Sequence, residues 1–515
     1  MKLLNYYILA LVTSLCIAAL PIDYADAQSR HSTSRTIGLG GGGTAYQDLY
    51  HANFINPANL RLNVEKRPKI TIGLAGGIHT NAGGGLTNVS IYNDYLTTGR
   101  RIDAGTSNEM LGHWFGPSDE NSQGLGVDAG VIPLGLVYRG NNWTGSLVSR
   151  TRVLANSDYS RGFAELFFNG LDSDLFSNSR AVNTRQELVF FNEISLGYAR
   201  TLWTSPELLG FGRNAKLHIG IAPKLLMGIN YFQGSLVSDL RVQRAEAGQN
   251  PEIQHNFIYQ IESVGELSDQ IAEFNRQQNM GNDPRFGDFV DFNSSDFTSF
   301  NGTSLGVDIG ATLEMDLDDS FLPFGREKKL VIGLSITDIG SVSFSDKARQ
   351  FTAGENFLWT GFNYDKEVID NEFDGDDDAF FESVLRDSIG NDVYLNFLAQ
   401  ETSSFSRALP TMINLGGYLQ AGRLAVMLDV GTGLNDRGTN SQSMHLALGT
   451  EYRLFNRIPF RTGFRTGGYS NTSYHVGTGV EFKNFEFTFG AASTSSAGSK
   501  GSSAGFAWSG LVIHI

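Results

Sequence analysis

Aspartates crowd one short stretch of this chain, among them Asp370, then Asp374, Asp376 and Asp378. Carboxylates so close together suit a calcium ion, which gathers about six to eight oxygen ligands, commonly from a single loop. The rest of a calcium loop is missing here. In a loop begun at Asp374, glycine stands at Gly375 instead of the sixth loop position, and no glutamate occupies the closing bidentate position. The preferred reading is a solvated acidic loop, with Asp374, Asp376 and Asp378 kept as a weak metal candidate. The nine histidines are scattered, without the pair four apart around a glutamate that a zinc hydrolase needs. His218 and His445 therefore read as satisfied wall residues. No nucleophile motif is present, and the chain reads as a non-enzyme with no cofactor. Gly38, Gly40 and Gly43 match a dinucleotide fingerprint by spacing alone, since no strand precedes them in a βαβ unit.

The elements around these residues belong to an exported protein. Lys2, an apolar run from Tyr6 to Leu20, and Ala25-Asp26-Ala27 before Gln28 form a signal peptide over residues 1–27. The one cysteine, Cys16, lies inside that run, so the mature chain has no disulfide and no cysteine metal cluster. Leu15 is too large for the position before a lipidated cysteine. No later stretch is apolar for the roughly eighteen residues of a spanning helix. Strands of roughly ten residues do recur, alternating apolar with small or polar. Tyr474, Val476, Thr478, Val480 and Phe482 face one way, and Ser473, His475, Gly477, Gly479 and Glu481 the other. Leu305 to Leu317 is the clearest such run, with Asp308, Glu314 and Asp316 opposite its apolar side. Those carboxylates belong in a lumen or at a barrel end, because lipid penalises them.

The spacing predicts an all-β transmembrane antiparallel barrel of about fourteen strands, closed because only helices and barrels satisfy every backbone group in lipid. The 60 Gly and 36 Phe fit small interior residues and aromatic packing. Trp143, Trp203, Trp359 and Trp508 are candidates for interfacial girdles. A net charge of -15 repels nucleic acid, so that partner is excluded. Residues 67–515 read as the barrel, with polar insertions near 238–304 and 345–410 that include helical pieces at Ile261 to Gln277 and Ala379 to Leu398. Such long connections belong on the extracellular face.

Residues 28–66 hold Gly40, Gly41, Gly42 and Gly43, followed by Asn56, Pro57 and Ala58. This arrangement resembles the FadL-type family, the long-chain fatty-acid transporter superfamily of outer-membrane barrels, nearest its uncharacterised Bacteroidota branch with the PorV-type barrels. Further echoes are Gly306-Val307-Asp308-Ile309-Gly310-Ala311, Gly333-Leu334-Ser335-Ile336-Thr337-Asp338-Ile339-Gly340 and Arg461-Thr462-Gly463-Phe464. The resemblance implies an N-terminal hatch over 28–66 inside the barrel, an outer-membrane location in a Gram-negative cell, and outer-membrane lipid as a partner. It also implies transport or binding of hydrophobic small molecules such as fatty acids or hydrocarbons. A non-transporting scaffold for an exported protein partner is the alternative, and a secreted soluble β-protein the third.

Overall fold

The computed structural model describes residues 31–63, 68–99, 102–118, 121–170, 175–243, 252–280, 282, 299–318, 328–359, 366–373, 383, 398–435, 440–468, 472–494 and 502–515. The signal peptide and the aspartates at 374, 376 and 378 lie outside these residues.

Fourteen antiparallel wall strands close into a barrel. The first strand is broken into Ile70–Leu74 and Ile78–Gly84, and the last into Ser502–Trp508 and Leu511–His514. They pair in two registers, Thr71 with His514 and Ile78 with Trp508, which seals the ring. Between them run Ser122–Arg139, Trp143–Ser160, Thr184–Leu208, Gly212–Gln243, Gly302–Leu317 and Lys328–Phe344. Next comes a strand broken into Phe405–Ala408 and Met412–Ala421, both paired to Lys328–Phe344. Leu424–Gly433, His445–Leu454, Ile458–Gly467, Ser473–Glu481 and Phe485–Thr494 complete the wall.

The alternation explains the closure. Leu147, Leu196, Ile221, Ile332, Leu415, Val476 and Phe487 point outward and are exposed, while their chain neighbours turn inward and are buried or half-buried. A soluble sandwich would bury that apolar side, so the arrangement is a transmembrane barrel of the outer-membrane kind. Tyr138, Trp143, Tyr198 and Trp203 cluster outside at the short-turn end, with Trp143 and Tyr198 stacked at 6.4 Å, as an interfacial girdle requires. Trp508 sits farther up the wall, opposite Ile78. The girdle role is therefore corrected for Trp508.

Tight turns such as Ala421 to Leu424, with Gly422 at φ +61°, occupy that end, and long connections occupy the other. Part of the insertion at 238–304 is strand, not loop. Thr184–Leu208 and Gly212–Gln243 are 25 and 32 residues long and carry the wall outward, where Glu252–Ser263 and Arg349–Trp359 add to the sheet. The first helical piece forms at Gly265–Asn279, and Ile261 to Ser263 remain strand. Most of the second lies outside the described residues. Pro223 faces outward where the ladder is open between the Ser195–Lys224 and Tyr198–Ile221 pairs, so its missing N–H leaves no gap to fill.

Candidate functional site: the lumenal plug

Residues 31–62 are packed inside the barrel, nearly all buried. The segment begins with a one-turn helix, Ser34–Ile37, capped by the Thr33 side chain, which accepts from the Thr36 backbone N–H. The chain then coils through Gly40 and Gly41 at φ +85° and +80°, a region that favours glycine. Asn56 caps the last helical turn of the plug, Pro57–Arg61: its Oδ1 accepts from Ala58 N at 3.2 Å, and Pro57 takes the first position, where no N–H is needed. The Asn56 Nδ2 donates to Thr44 O at 2.8 Å and to Thr312 Oγ1 on the wall at 2.9 Å. Asn56, with Pro57 and Ala58, thus ties the last turn of the plug to its middle at Thr44 and fastens both to one wall strand.

Close approach to the wall depends on glycine at both ends. A Cβ at Gly220 would stand 2.3 Å from Ala58 N, and one at Gly463 would stand 2.6 Å from Gly40 N. Gly42 lies over Asp429, whose Oδ1 accepts from Thr44 N at 2.9 Å. Gly43, at φ +154°, packs against Thr36 and Ile55 within the plug itself. Nearby, His475 Nδ1 lies 2.7 Å from the Ile37 carbonyl oxygen, which can only accept. That nitrogen therefore carries the proton, and Nε2 accepts from the Ser473 hydroxyl at 2.8 Å.

Beneath Phe54 the wall presents a buried lattice of charge. Arg150 donates to Glu193 at 2.7 Å, and Arg152 reaches Asp128 and Asp338, each at 2.7 Å. Lys224 lies 2.7 Å from Asp308 and 2.5 Å from Asp338. The Phe54 ring covers the Arg150 guanidinium at 3.9 Å. Three cations facing four carboxylates in this space tolerate burial because each is paired and hydrogen-bonded. A second network ties Arg35 of the plug to Glu451 at 3.8 Å and Asp48 at 3.9 Å. Burial opposes the charge on Arg35, but those carboxylates outweigh it and hold the group above its ordinary value. Burial likewise pushes the Tyr50 phenol up.

The sequence placed Lys224 and Asp308 on the inward side of their strands. It did not bring them to Arg150, Arg152, Glu193 and Asp338, though an inward charge at alternate positions of an apolar strand was a visible signal. His218 is buried and contacts Glu314 at 3.1 Å, and His445 is buried in the wall. Asp308 and Glu314 face the lumen, and Asp316 lies exposed at the short-turn end beside Asn214. No cluster of three or more His, Cys, Asp or Glu able to hold a metal occurs among the described residues.

At the short-turn end a small pocket of about 20 Å³ is lined by Arg35, Ala45, Tyr46, Leu62, Asn63, Lys329, Val331 and Tyr418. At the other end, helices Ala104–Phe115 and Arg161–Asn169 pack through Met110, Leu111, Phe115 and Ala164. Their surroundings leave Tyr92, Leu96 and Phe167 exposed, the last by 75 %.

Residues 57–492 match a family model described as "Family of unknown function (DUF5723)". No curated protein matches the chain. Among solved structures, the chain is similar to the Ralstonia pickettii toluene transporter TbuX, at 11 % identity and a TM-score of 0.42, covering 94 % of this chain and 99 % of that one. It is also similar to the Pseudomonas putida toluene transporter TodX, at 10 % identity and a TM-score of 0.39, with 95 % and 98 % covered. A Pseudomonas aeruginosa FadL homologue gives 10 % identity and a TM-score of 0.39, with 95 % and 99 % covered.

Proposed function

From the premise that the chain belongs to the family of unknown function DUF5723, we propose that it is a plugged outer-membrane conduit for hydrophobic small molecules of the fatty-acid or hydrocarbon kind. One observation carries this reading: apolar side chains at Tyr92, Leu96 and Phe167 stay exposed above a lumen that the chain's own N-terminal segment fills. Exposed apolar groups gathered at one mouth attract an apolar ligand, because their contact removes both surfaces from water. The ligand adsorbs among the helices at the long-connection end and passes down beside the plug. The charged lattice under Phe54 is a poor path for it, so passage requires a shift near Asn56, Pro57 and Ala58 or a route through the wall. The residues Gly40, Gly41, Gly42 and Gly43 act in this proposal as the close-packed seat of the hatch. The test is uptake of labelled fatty acid and of labelled hydrocarbon by cells lacking the gene and by cells with it restored. Greater uptake on restoration supports the proposal, and equal uptake removes it.

A second reading is favoured by the lattice itself. A lumen crossed by paired charges and filled by a glycine-seated plug suits a scaffold that holds an exported protein and carries nothing. The outward sheet extension formed by Thr184–Leu208, Gly212–Gln243 and Glu252–Ser263 gives such a partner a surface. Purification from membranes separates the readings: a scaffold brings down a defined partner protein, whereas a conduit is recovered without one and restores uptake.

A further inference from the structure

Three histidines meet where the plug touches the wall. His31 Nε2 lies 3.1 Å from His51 Nδ1, both on the plug, and the two rings stack at 5.4 Å. The His79 ring of the first wall strand stands edge-on to His31 at 4.8 Å, and its Nε2 is 3.6 Å from Asp128. All three are buried, with 6 % exposure at most. We propose that these rings form an acid-sensitive latch, in which protonation of the His31–His51 pair releases the front of the plug from the wall and opens the lumen to ions.

The chemistry of the contact supplies the reason. Two imidazole nitrogens at 3.1 Å hold together when one donates and the other accepts, so at most one ring of the pair carries a full set of protons. When both rings are protonated, both atoms are donors, and two like charges face each other in a buried site. The surroundings do not absorb that charge. Arg150 and Arg152 of the third wall strand approach the cluster as further cations, and Phe54 packs edge-on against His31 at 5.2 Å. The carboxylates of Glu193 and Asp338 already answer those arginines, and Asp128 is shared between Arg152 and His79. On the plug, Asp48 favours a charged His51 and Tyr50 packs on its ring at 4.5 Å. Burial nevertheless pulls His51 down to about 3, with His79 acting in the same direction. His31 is held well below the usual range by burial, then by His79 and Arg150. A released plug restores ordinary basicity to both rings, so acid favours release over seating.

This inference concerns regulation of the conduit proposed above, but its readout is ion conductance, which does not depend on any apolar ligand being carried. The experiment records the mature, full-length protein in planar bilayers in potassium chloride near pH 7.5 and about pH 4.5. The wild type is expected to stay closed at the higher pH and to open about tenfold more often at the lower. The double variant His31→Gln and His51→Gln, which keeps a hydrogen-bonding pair but cannot charge, is expected to stay closed at both. A wild type whose conductance is the same at both pH values overturns the latch whether or not the variant folds. So does a folded double variant that opens with the wild type. Failure of apolar uptake with an intact acid response would remove the transport reading and leave the latch standing.

Discussion

Residues 34–42 of the plug lie against wall strands that follow residue 424, and residues 50–61 lie against strands that precede residue 318. The first contact is mainly backbone on backbone, with Gly38 against Gly477 and Gly40 against the carbonyls of Phe464 and Leu448, and the His475 side chain adds one bond to the Ile37 carbonyl. The second is made by side chains. Asn53 accepts from Ser146 at 2.5 Å and donates to Ser195 at 3.1 Å, Phe54 covers Arg150, and Arg61 donates to the carbonyls of Gly140, Asn141 and Trp143. Shape fixes the one half and polar complementarity the other. The glycine half fails when volume is added, and the charged half fails when a partner is removed.

The sharpest way to break that comparison is Lys224→Met, which strips the cation shared by Asp308 and Asp338, so that Asp308 loses its cation in a buried site while Asp338 keeps Arg152. A loss of about 3–5 kcal/mol is expected in the unfolding free energy of the detergent-solubilised barrel, measured by urea titration. A loss below about 1 kcal/mol would mean that water reaches the lattice and that the charged half is not a tight contact. Gly463→Val tests the other half. Its Cβ would fall 2.6 Å from Gly40 N, and about 1–3 kcal/mol of overpacking strain is expected, with the plug becoming open to protease. Unchanged proteolysis would show that the plug does not press on this strand. Asn56→Ala removes a cap and the donor to Thr312, at an expected cost of about 1–2 kcal/mol in the same unfolding assay. Here the damage should appear in both halves, since Asn56 also holds Thr44.

The smallest effect near neutrality is the pH dependence set by His31 and His51. Their seated values lie below the unfolded value, so the unfolded chain binds more protons wherever the two differ. Stability is complete above about pH 6.5, falls as pH drops through that value, and keeps falling towards about 3, where His51 itself titrates. Urea midpoints measured across that window should decline in the wild type and decline less steeply in His51→Gln, where only His31 still contributes. Parallel curves would assign the slope to other groups.

Much of the wall was legible in the chain. Tyr474 to Phe482 and Leu305 to Leu317 alternate so regularly that each strand, its outward face and its lumenal carboxylates follow from the period of two. The polar composition after Ser238 concealed strands, because sheet carried beyond the membrane has no apolar face to show. For the same reason Ile261 to Ser263 read as helix, though they pair with Phe232 to Gly234. The glycines of the wall were visible as small inward residues, but their purpose was not, since a close approach involves two segments far apart in sequence. Gly220 and Ala58 are an example.

The chain alone determined the barrel and its inward and outward faces, because alternation is a local property that each strand carries by itself and lipid enforces on every backbone group. The three-dimensional structure decided how Arg150, Lys224 and Asp338 share one lattice and how His31, His51 and His79 touch. Those contacts depend on strand register and on the path of the plug. Both are settled by closure of the whole ring, which joins residues that no spacing along the chain relates.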